Sequence, residues 1–136
     1  MVDTNVLLNR FEKVERKEKR NKIIVPKQVF EECRHFYFSA RGFIPKDNWV
    51  LNQARRVFPR LEIKTRTGRW EIREVESLDA IGRVRGVIRQ KKKLSLADIA
   101  IAGLAFEVRR RYKDVTVWTD DKDLKEVLRG LNIKCK

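Results

Sequence analysis

Several residue types are scarce in this chain, and each scarcity excludes a class of protein. The 136 residues include two cysteines, Cys33 and Cys135, which lie far apart and show no paired spacing. Neither a zinc knuckle nor a disulfide framework is therefore indicated, although a single bridge between these two thiols remains open. The one histidine, His35, fits a surface or packing residue better than a metal ligand.

Long apolar runs are also absent from the sequence. No stretch reaches the roughly 20 residues that a membrane-spanning helix needs. The chain does not open with a charged leader followed by an apolar core. We therefore expect a cytoplasmic protein with no membrane partner.

Acidic residues are few relative to basic ones. The chain has 19 Asp and Glu against 33 Lys and Arg, which gives a formal net charge of +14. A positive field of this size favours polyanions, of which nucleic acid is the commonest. With 42% hydrophobic and 38% charged residues, the composition predicts one folded, heavily charged domain over residues 1–136.

Short apolar runs alternate with helical patterns along the chain. The run Ile23–Pro26 is apolar throughout, which is typical of a strand buried on both faces. Strands that alternate with helices predict a parallel sheet between helical layers, and hence an α/β fold of the three-layer α/β/α sandwich type. The predicted strands cover residues 1–5, 23–26, 115–119 and 132–135.

Helical spacing of apolar residues predicts the elements between the strands. Pro59 is expected to end one helix, and Ser77 and Ser95 are expected to cap two others. The predicted helices cover residues 6–22, 27–42, 50–58, 77–93, 95–112 and 121–131.

One segment has the pattern of a strand pair. Residues 61–75 alternate apolar and polar side chains on both sides of a Thr67-Gly68 turn. This pattern predicts a β-hairpin, which we interpret as an excursion from the sandwich. Trp70 on this hairpin is the best candidate for base stacking, whereas Trp49 and Trp118 are interpreted as structural.

Acidic residues follow the predicted strands. Asp3 ends the first strand, and Asp120, Asp121 and Asp123 follow the strand at residues 115–119. Because the carboxyl ends of parallel strands meet at one rim of a sheet, we expect both groups to reach the same rim. Asp120 by itself is better explained as a turn former or helix cap.

Further acids lie near helix starts. Glu31 and Glu32 follow the apolar run that ends at Pro26, and Asp98 lies in the first turn of the helix that Ser95 opens. These side chains can point at the same rim, so acids from four distant segments can form one cluster. Glu32 borders the apolar face of its helix and is therefore a better candidate than Glu31.

A cluster of carboxylates implies a bound cation. Carboxylates packed together resist ionising together unless a cation intervenes. Oxygen ligands without His or Cys suit the hard ions Mg²⁺ and Mn²⁺ better than zinc. Such ions would activate water for attack at phosphorus, while the basic surface would attract a phosphate backbone.

Four segments carry a family resemblance: "VDTNVLL", "VPKQVFEEC", "LSLADIAIAGLA" and "VWTDDKDL" occur in this order and together cover nearly the whole chain. They resemble the four acidic motifs of the PIN-domain nucleases. The resemblance implies a PIN-like sandwich with a central parallel sheet and a Mg²⁺- or Mn²⁺-dependent ribonuclease, as in VapC-type toxins and RNA-processing enzymes. It also implies RNA as substrate, a homodimer and, for a toxin, an antitoxin protein as partner.

The resemblance assigns roles to individual acids. The residues that match the metal-binding and catalytic positions are Asp3, Glu32, Asp98 and Asp121. Asp123 matches a further acid that assists catalysis. Thr119 is interpreted as orienting its neighbours and not as attacking phosphorus.

A basic segment precedes the helix that carries Asp98. Residues 83–93, "RVRGVIRQKKK", include no acid. A solvated helix face is one interpretation, but the position before Asp98 favours phosphate contact, with Arg109–Arg111 as weaker candidates. The predicted nucleic-acid-binding residues are Arg83, Arg85, Arg89, Lys91, Lys92 and Lys93.

Three functions are compatible with these patterns. The leading hypothesis is a metal-dependent endoribonuclease, either a toxin or an RNA-processing enzyme. The alternative is a non-catalytic basic RNA-binding or ribosome-associated module, which would gain nothing from acids in its groove. A phosphatase-like hydrolase ranks lowest because "VDTNV" lacks a second aspartate two residues after Asp3.

Overall fold

Helices and short strands alternate along the chain. The computed structural model describes residues 1–40, 42, 47–88, 94–112 and 114–136. The elements in these residues are α1 (Thr4–Asn9), α2 (Phe11–Lys17), β1 (Ile23–Pro26), α3 (Lys27–Ser39), α4 (Trp49–Arg66), β2 (Trp70–Arg73), α5 (Leu78–Ile88), α6 (Leu96–Arg111), β3 (Thr116–Val117), α7 (Lys122–Gly130) and β4 (Lys134–Cys135). Over the described residues, none of the helices has the length and apolar character that crossing a bilayer requires.

Parallel strands form the centre of the fold. β1 is buried at every position, and it pairs in parallel with β2, so that Ile23 lies opposite Trp70. β3 pairs in parallel with β4. A single parallel bridge between Val2 and Trp118 ties the first residues of the chain to the end of β3. The predicted α/β class, with parallel strands between helices, is confirmed.

The predicted β-hairpin at residues 61–75 is wrong. Leu61 to Arg66 complete helix α4, and the second half of the segment forms β2, which pairs with β1. The alternating pattern was misleading because this segment is helical, and only one of its two apolar residues faces the core. Leu61 is 0% exposed, whereas Ile63 lies on the outer side of the helix and is 51% exposed. Pairing with a strand far earlier in the chain leaves no local signal. The segment is therefore part of the central parallel strands and not an excursion.

The predicted helix end at Pro59 is also wrong, because α4 continues through the proline. A proline inside a helix removes a hydrogen bond and costs about 3 kcal/mol. The buried face of α4 offsets this cost, since Val57, Phe58 and Leu61 are at most 2% exposed. Burial of each such side chain contributes roughly 1.5–3 kcal/mol.

The predicted helix over residues 6–22 is two helices. The backbone at Arg10 leaves the helical region, with φ −134° and ψ 37°, and α2 begins at the next residue. The break keeps the apolar faces of both helices on the core. The four side chains concerned are all 0% exposed: Val6, Leu7, Phe11 and Val14.

Both predicted serine caps in the second half of the chain are present. The Ser77 hydroxyl accepts a hydrogen bond from the Ala80 backbone N–H at 3.2 Å, and the Ser95 hydroxyl accepts one from Asp98 at 3.1 Å. These bonds satisfy N–H groups that the helix itself leaves without acceptors. The last part of the predicted 77–93 helix, residues 89–93, lies outside the described residues.

Helices α5 and α6 pack closely at Gly103. A Cβ atom at this position would lie 2.9 Å from the Ile81 Cδ1 atom. Because Cδ1 is the end of a flexible side chain, a larger residue would require Ile81 to shift.

A ladder of ion pairs joins α2 to α4. Its acids are Glu12, Glu15 and Glu18, and its cations are Arg56, Arg60 and Lys64, with N–O distances between 2.6 and 3.2 Å. Lys64 is the most buried cation of the ladder, with a side chain that is 11% exposed. Its Nζ lies 2.7 Å from Glu18, which also accepts a hydrogen bond from the Trp70 indole at 2.6 Å. The ladder therefore attaches both α4 and β2 to α2.

Replacing the buried cation of this ladder should destabilise the fold. We expect Lys64→Ala to lower the free energy of unfolding by about 2 kcal/mol, because Glu18 would keep its charge in a partly buried position without its ion-pair partner, while Glu15 would keep Arg60. Urea denaturation measures the effect. Arg66→Ala, on an exposed position of the same helix, should change stability by less than about 0.5 kcal/mol. Equal effects of the two variants would contradict a stabilising role for the ladder.

Candidate active site

Asp3 lies at the start of α1 and its carboxylate is held from two sides. Its Oδ1 accepts a hydrogen bond from the Thr4 backbone N–H at 2.7 Å. Its Oδ2 accepts one from the Thr119 hydroxyl at 2.8 Å. The Asp3 backbone N–H donates to the Trp118 carbonyl at 3.0 Å. Backbone and side chain are therefore both fixed against Trp118 and Thr119, the two residues that follow β3.

Thr119 links the first acidic segment to the last. The residue is 0% exposed, and its hydroxyl oxygen accepts a hydrogen bond from the Asp121 backbone N–H at 3.1 Å. The Asp121 Oδ1 atom in turn accepts N–H groups of Asp123 and Leu124 at 2.9 and 3.1 Å, which caps α7. Thr119 thus orients its neighbours, as the sequence suggests.

Glu32 and Asp98 project from the middle of α3 and the first turn of α6. Both are half-buried, whereas Glu31 is exposed. Burial raises the pKa of Glu32 above its usual range, and the charges of Asp3 and Asp98 raise it further, while the Thr4 side chain opposes the rise. Burial also raises the pKa of Asp98, against the hydrogen bond with Ser95 and in the same direction as the charges of Asp3 and Asp121.

Four acids from four segments therefore influence one another's charge. Asp3 and Asp98 act on Glu32, and Asp3 and Asp121 act on Asp98. None of them is in an ion pair with a Lys or Arg of the described residues. Their mutual repulsion is therefore not offset by a protein cation from this part of the chain. The roles that the sequence assigns to them remain predictions.

Two other acids of the last segment behave differently. Asp123 is exposed, and it contacts the cluster through its backbone N–H bond to Asp121. Asp120 is also exposed and forms an ion pair with Arg10 at 2.8 Å. Sequence reasoning missed Arg10, because nothing local indicates a contact between residues that lie so far apart in the chain.

The acids do not form a preformed metal cage. Over the described ranges, no three His, Cys, Asp or Glu side chains are arranged so that they could together hold a metal ion. Burial first, and then the charges of neighbouring acids, raise the pKa values of Glu32 and Asp98, so these acids influence one another without forming a cage. The type of donor decides which ion would suit the cluster. Carboxylate oxygens without His or Cys suit hard divalent cations.

The basic residues predicted to bind RNA are described only in part. Arg83 and Arg85 are exposed on α5. The others, which are Arg89, Lys91, Lys92 and Lys93, lie outside the described residues. Of the weaker candidates, Arg109 donates to the carbonyl oxygens of Leu131 and Asn132. Its neighbour Arg110 pairs with Asp79 at 2.8 Å. These two arginines therefore tie α6 to other parts of the fold.

Trp70 is not available for base stacking, and this prediction is wrong. The residue is 1% exposed, its ring packs against Phe11 and its indole N–H is bonded to Glu18. The error follows from the wrong hairpin, since Trp70 lies in a buried strand that pairs with β1. Trp49, in contrast, is 60% exposed and its indole N–H donates to Asn9 at 2.7 Å.

Neutralising one acid of the cluster should stabilise the protein when divalent ions are removed by chelator. The pKa of Glu32 is higher in the folded protein than in the unfolded chain. The protonated side chain therefore favours folding at low pH, and this contribution is lost as the pH rises through the folded-state pKa. At pH 7 the ionised side chain lowers the free energy of unfolding. We expect Glu32→Gln to raise the melting temperature by roughly 2–4 °C in EDTA. Thermal melting with Glu31→Gln as the matched exposed control tests this. A fall in melting temperature for Glu32→Gln alone would contradict the prediction.

Comparison with known proteins agrees with the four motifs. A family model described as PIN domain matches residues 1–136. No curated protein and no solved structure matches this chain. The family match covers all four acidic segments and the parallel strands that position them. The chain therefore belongs to the PIN-domain family, whose members are generally nucleases.

Proposed function

We propose that this protein is a metal-dependent endoribonuclease that hydrolyses RNA phosphodiester bonds. One observation carries the proposal: acids from four distant segments interact electrostatically in a protein whose net charge is +14. A basic protein gathers carboxylates at one place at a cost in stability. Divalent cations that neutralise the carboxylates and contact a phosphate would explain this cost.

The donor set fits Mg²⁺ or Mn²⁺. The residues that would hold the ions are Asp3, Glu32, Asp98 and Asp121. Bound ions of this kind activate water and stabilise the negative charge that develops at phosphorus. Membership of the PIN-domain family favours divalent metals in general and does not distinguish between the two.

The chain's own residues would keep the carboxylates in position. The Thr119 hydroxyl donates a hydrogen bond to the Asp3 carboxylate and accepts one from the Asp121 backbone N–H. Asp121 uses Oδ1 to cap α7, so its orientation is set by the start of the helix. Ser95 does the same for the first turn of α6, next to Asp98. These bonds restrain individual acids, and the four carboxylates would still have to move toward one another to share an ion.

Basic residues would bring RNA to the acids. Arg83 and Arg85 are exposed on α5, which packs against α6. The sequence continues from them through Arg89 and Lys91–Lys93 to Asp98. We propose that this segment contacts phosphates near the site of cleavage.

Removal of one carboxylate should abolish cleavage without unfolding the protein. We expect Asp98→Asn to lower Mn²⁺-dependent cleavage of a labelled RNA by at least about 100-fold, since the site would then be short of one ligand and its charge. Circular dichroism and melting should be retained. The matched control is Asp120→Asn, which removes an exposed acid paired with Arg10 and should leave cleavage within about threefold of the unmodified protein.

Two outcomes would overturn the assignment. Unchanged cleavage by Asp98→Asn would show that the acid cluster does not perform the reaction. RNA binding that chelator does not affect, with no cleavage at any divalent metal concentration, would identify a non-catalytic RNA-binding module instead.

The biological role within this activity is a separate proposal. We propose a cytoplasmic enzyme that forms a homodimer and acts either as a toxin or in RNA processing. Induced expression with and without the adjacent open reading frame distinguishes the two roles. Growth arrest that a small neighbouring protein relieves would identify a toxin with its antitoxin, and the absence of any arrest would favour RNA processing.

A further inference from the structure

Helix α2 divides its side chains among three surfaces. Phe11 and Val14 face the core and are 0% exposed. The three glutamates face α4 in the ladder of ion pairs. The remaining surface is basic: Lys13, Arg16 and Lys17 are exposed on one face, and Arg20 follows in the turn after the helix.

The basic face of α2 has no acidic counterpart in the described part of the chain. All three glutamates of the segment are already bound to Arg56, Arg60 and Lys64. No ion pair among the described residues includes Lys13, Arg16, Lys17 or Arg20. The fold therefore neutralises the acids of this helix internally and leaves its cations facing solvent.

These cations form one wall of an open groove with a volume of about 540 Å³. We call it the α2 groove and define it by its lining residues, which are Lys13, Arg16, Lys17, Lys19, Arg20, Asn21, Trp118 and Lys136. Its lining over the described residues contains six Lys or Arg and no acid.

Trp118 and Lys136, which follow β3 and β4, complete the lining of the α2 groove. Side chains alternate across a strand, so the buried Val117 and Thr119 point one way and Trp118 points the other. Cys135 lies toward α7, with its Sγ 4.0 Å from the Lys125 carbonyl, whereas Lys136 is exposed in the groove. The groove therefore offers a half-buried indole among cations.

We propose that the α2 groove binds single-stranded RNA, with phosphates on the α2 cations and a base against Trp118. This combination of a positive groove and an aromatic side chain is the usual way in which proteins hold single strands. A second copy of this chain is a poor occupant of this particular groove, because it would have to bring an acidic surface to the groove's cations and the chain is predominantly basic; the proposed homodimer would use another surface. An acidic protein segment would use the cations but has no need of the indole.

The groove leads to the candidate active site. α2 begins next to Arg10, which pairs with Asp120 beside the acid cluster, and its seven residues extend about 10 Å away from that point. Trp118 is adjacent to Thr119, which holds Asp3. That the bound strand continues into the acid cluster rests on the proposed function, but RNA binding by the groove does not.

Binding is measured with chelator present, so that it does not depend on cleavage. The probe is a fluorescein-labelled single-stranded RNA of about 12 nucleotides, followed by anisotropy from low to high salt in EDTA. We expect Arg16→Gln/Arg20→Gln to weaken binding about tenfold near physiological salt. The slope of log Kd against log salt should fall by about 1.4, or about 0.7 for each phosphate that the variant no longer neutralises.

The matched control is Arg55→Gln/Arg66→Gln. It removes the same charge from exposed positions on α4 and should change affinity less than about twofold. If both double variants weaken binding equally, only the net charge matters and the proposal is overturned. Melting curves of all variants establish that each is folded.

Trp118→Leu distinguishes RNA from other polyanions, because it leaves the charge of the groove unchanged. We expect it to weaken RNA binding at least about fivefold, since loss of base stacking has a cost of this size. Binding of poly-L-glutamate should not change. If poly-L-glutamate binds as tightly as RNA and Trp118→Leu affects neither, the groove is a general polyanion or acidic-protein site and the RNA proposal is wrong.

Loss of cleavage in Asp98→Asn with RNA binding retained would separate this groove from the catalytic function.

Discussion

The buried hydroxyl of Thr119 connects the parts of the chain on which the candidate site depends. It donates to Asp3 and accepts from the Asp121 backbone, and the Thr119 backbone N–H donates to the Lys136 carbonyl at 3.1 Å. The side chain is 0% exposed, so loss of either partner would leave a buried polar group unsatisfied at a cost of about 1–3 kcal/mol. One threonine therefore holds the Asp3 carboxylate and the Asp121 backbone, which belong to opposite ends of the sequence. Water cannot easily replace these bonds, because the hydroxyl is inaccessible to it.

The acid cluster itself opposes folding. The pKa values of Glu32 and Asp98 are raised first by burial and then by neighbouring carboxylates, so the ionised cluster is less stable in the folded protein than in the unfolded chain. The rest of the fold must offset this penalty through its apolar core and the close packing of α5 on α6 at Gly103. Functional sites commonly carry such local destabilisation. A bound cation, as proposed for this site, would relieve the same repulsion.

The distribution of charge follows from the way α2 is packed. Its glutamates are used within the fold, and the hydrogen bond from Arg56 lowers the pKa of Glu12 to about 2. Its cations have no such partners among the described residues, so they contribute their charge to the outer surface. The basic face of α2 is therefore one place at which the net charge of +14 reaches the surface. A nuclease needs this arrangement, since carboxylates alone would repel the phosphate backbone that they are to cleave.

Local patterns in the sequence were sufficient for the α/β class, the serine caps, the buried β1 run and the choice of Glu32 over Glu31 as the half-buried acid. Each of these depends on residues within a few positions of one another, and periodicity and capping report on that range. The passage of α4 through Pro59 and the parallel pairing of β2 with β1 were decided by the tertiary structure. Burial against distant residues outweighs the local preference for a turn or a hairpin there, and no short pattern contains that information. For the same reason, only the tertiary structure shows that Trp70 is buried and that Trp118 lines a basic groove.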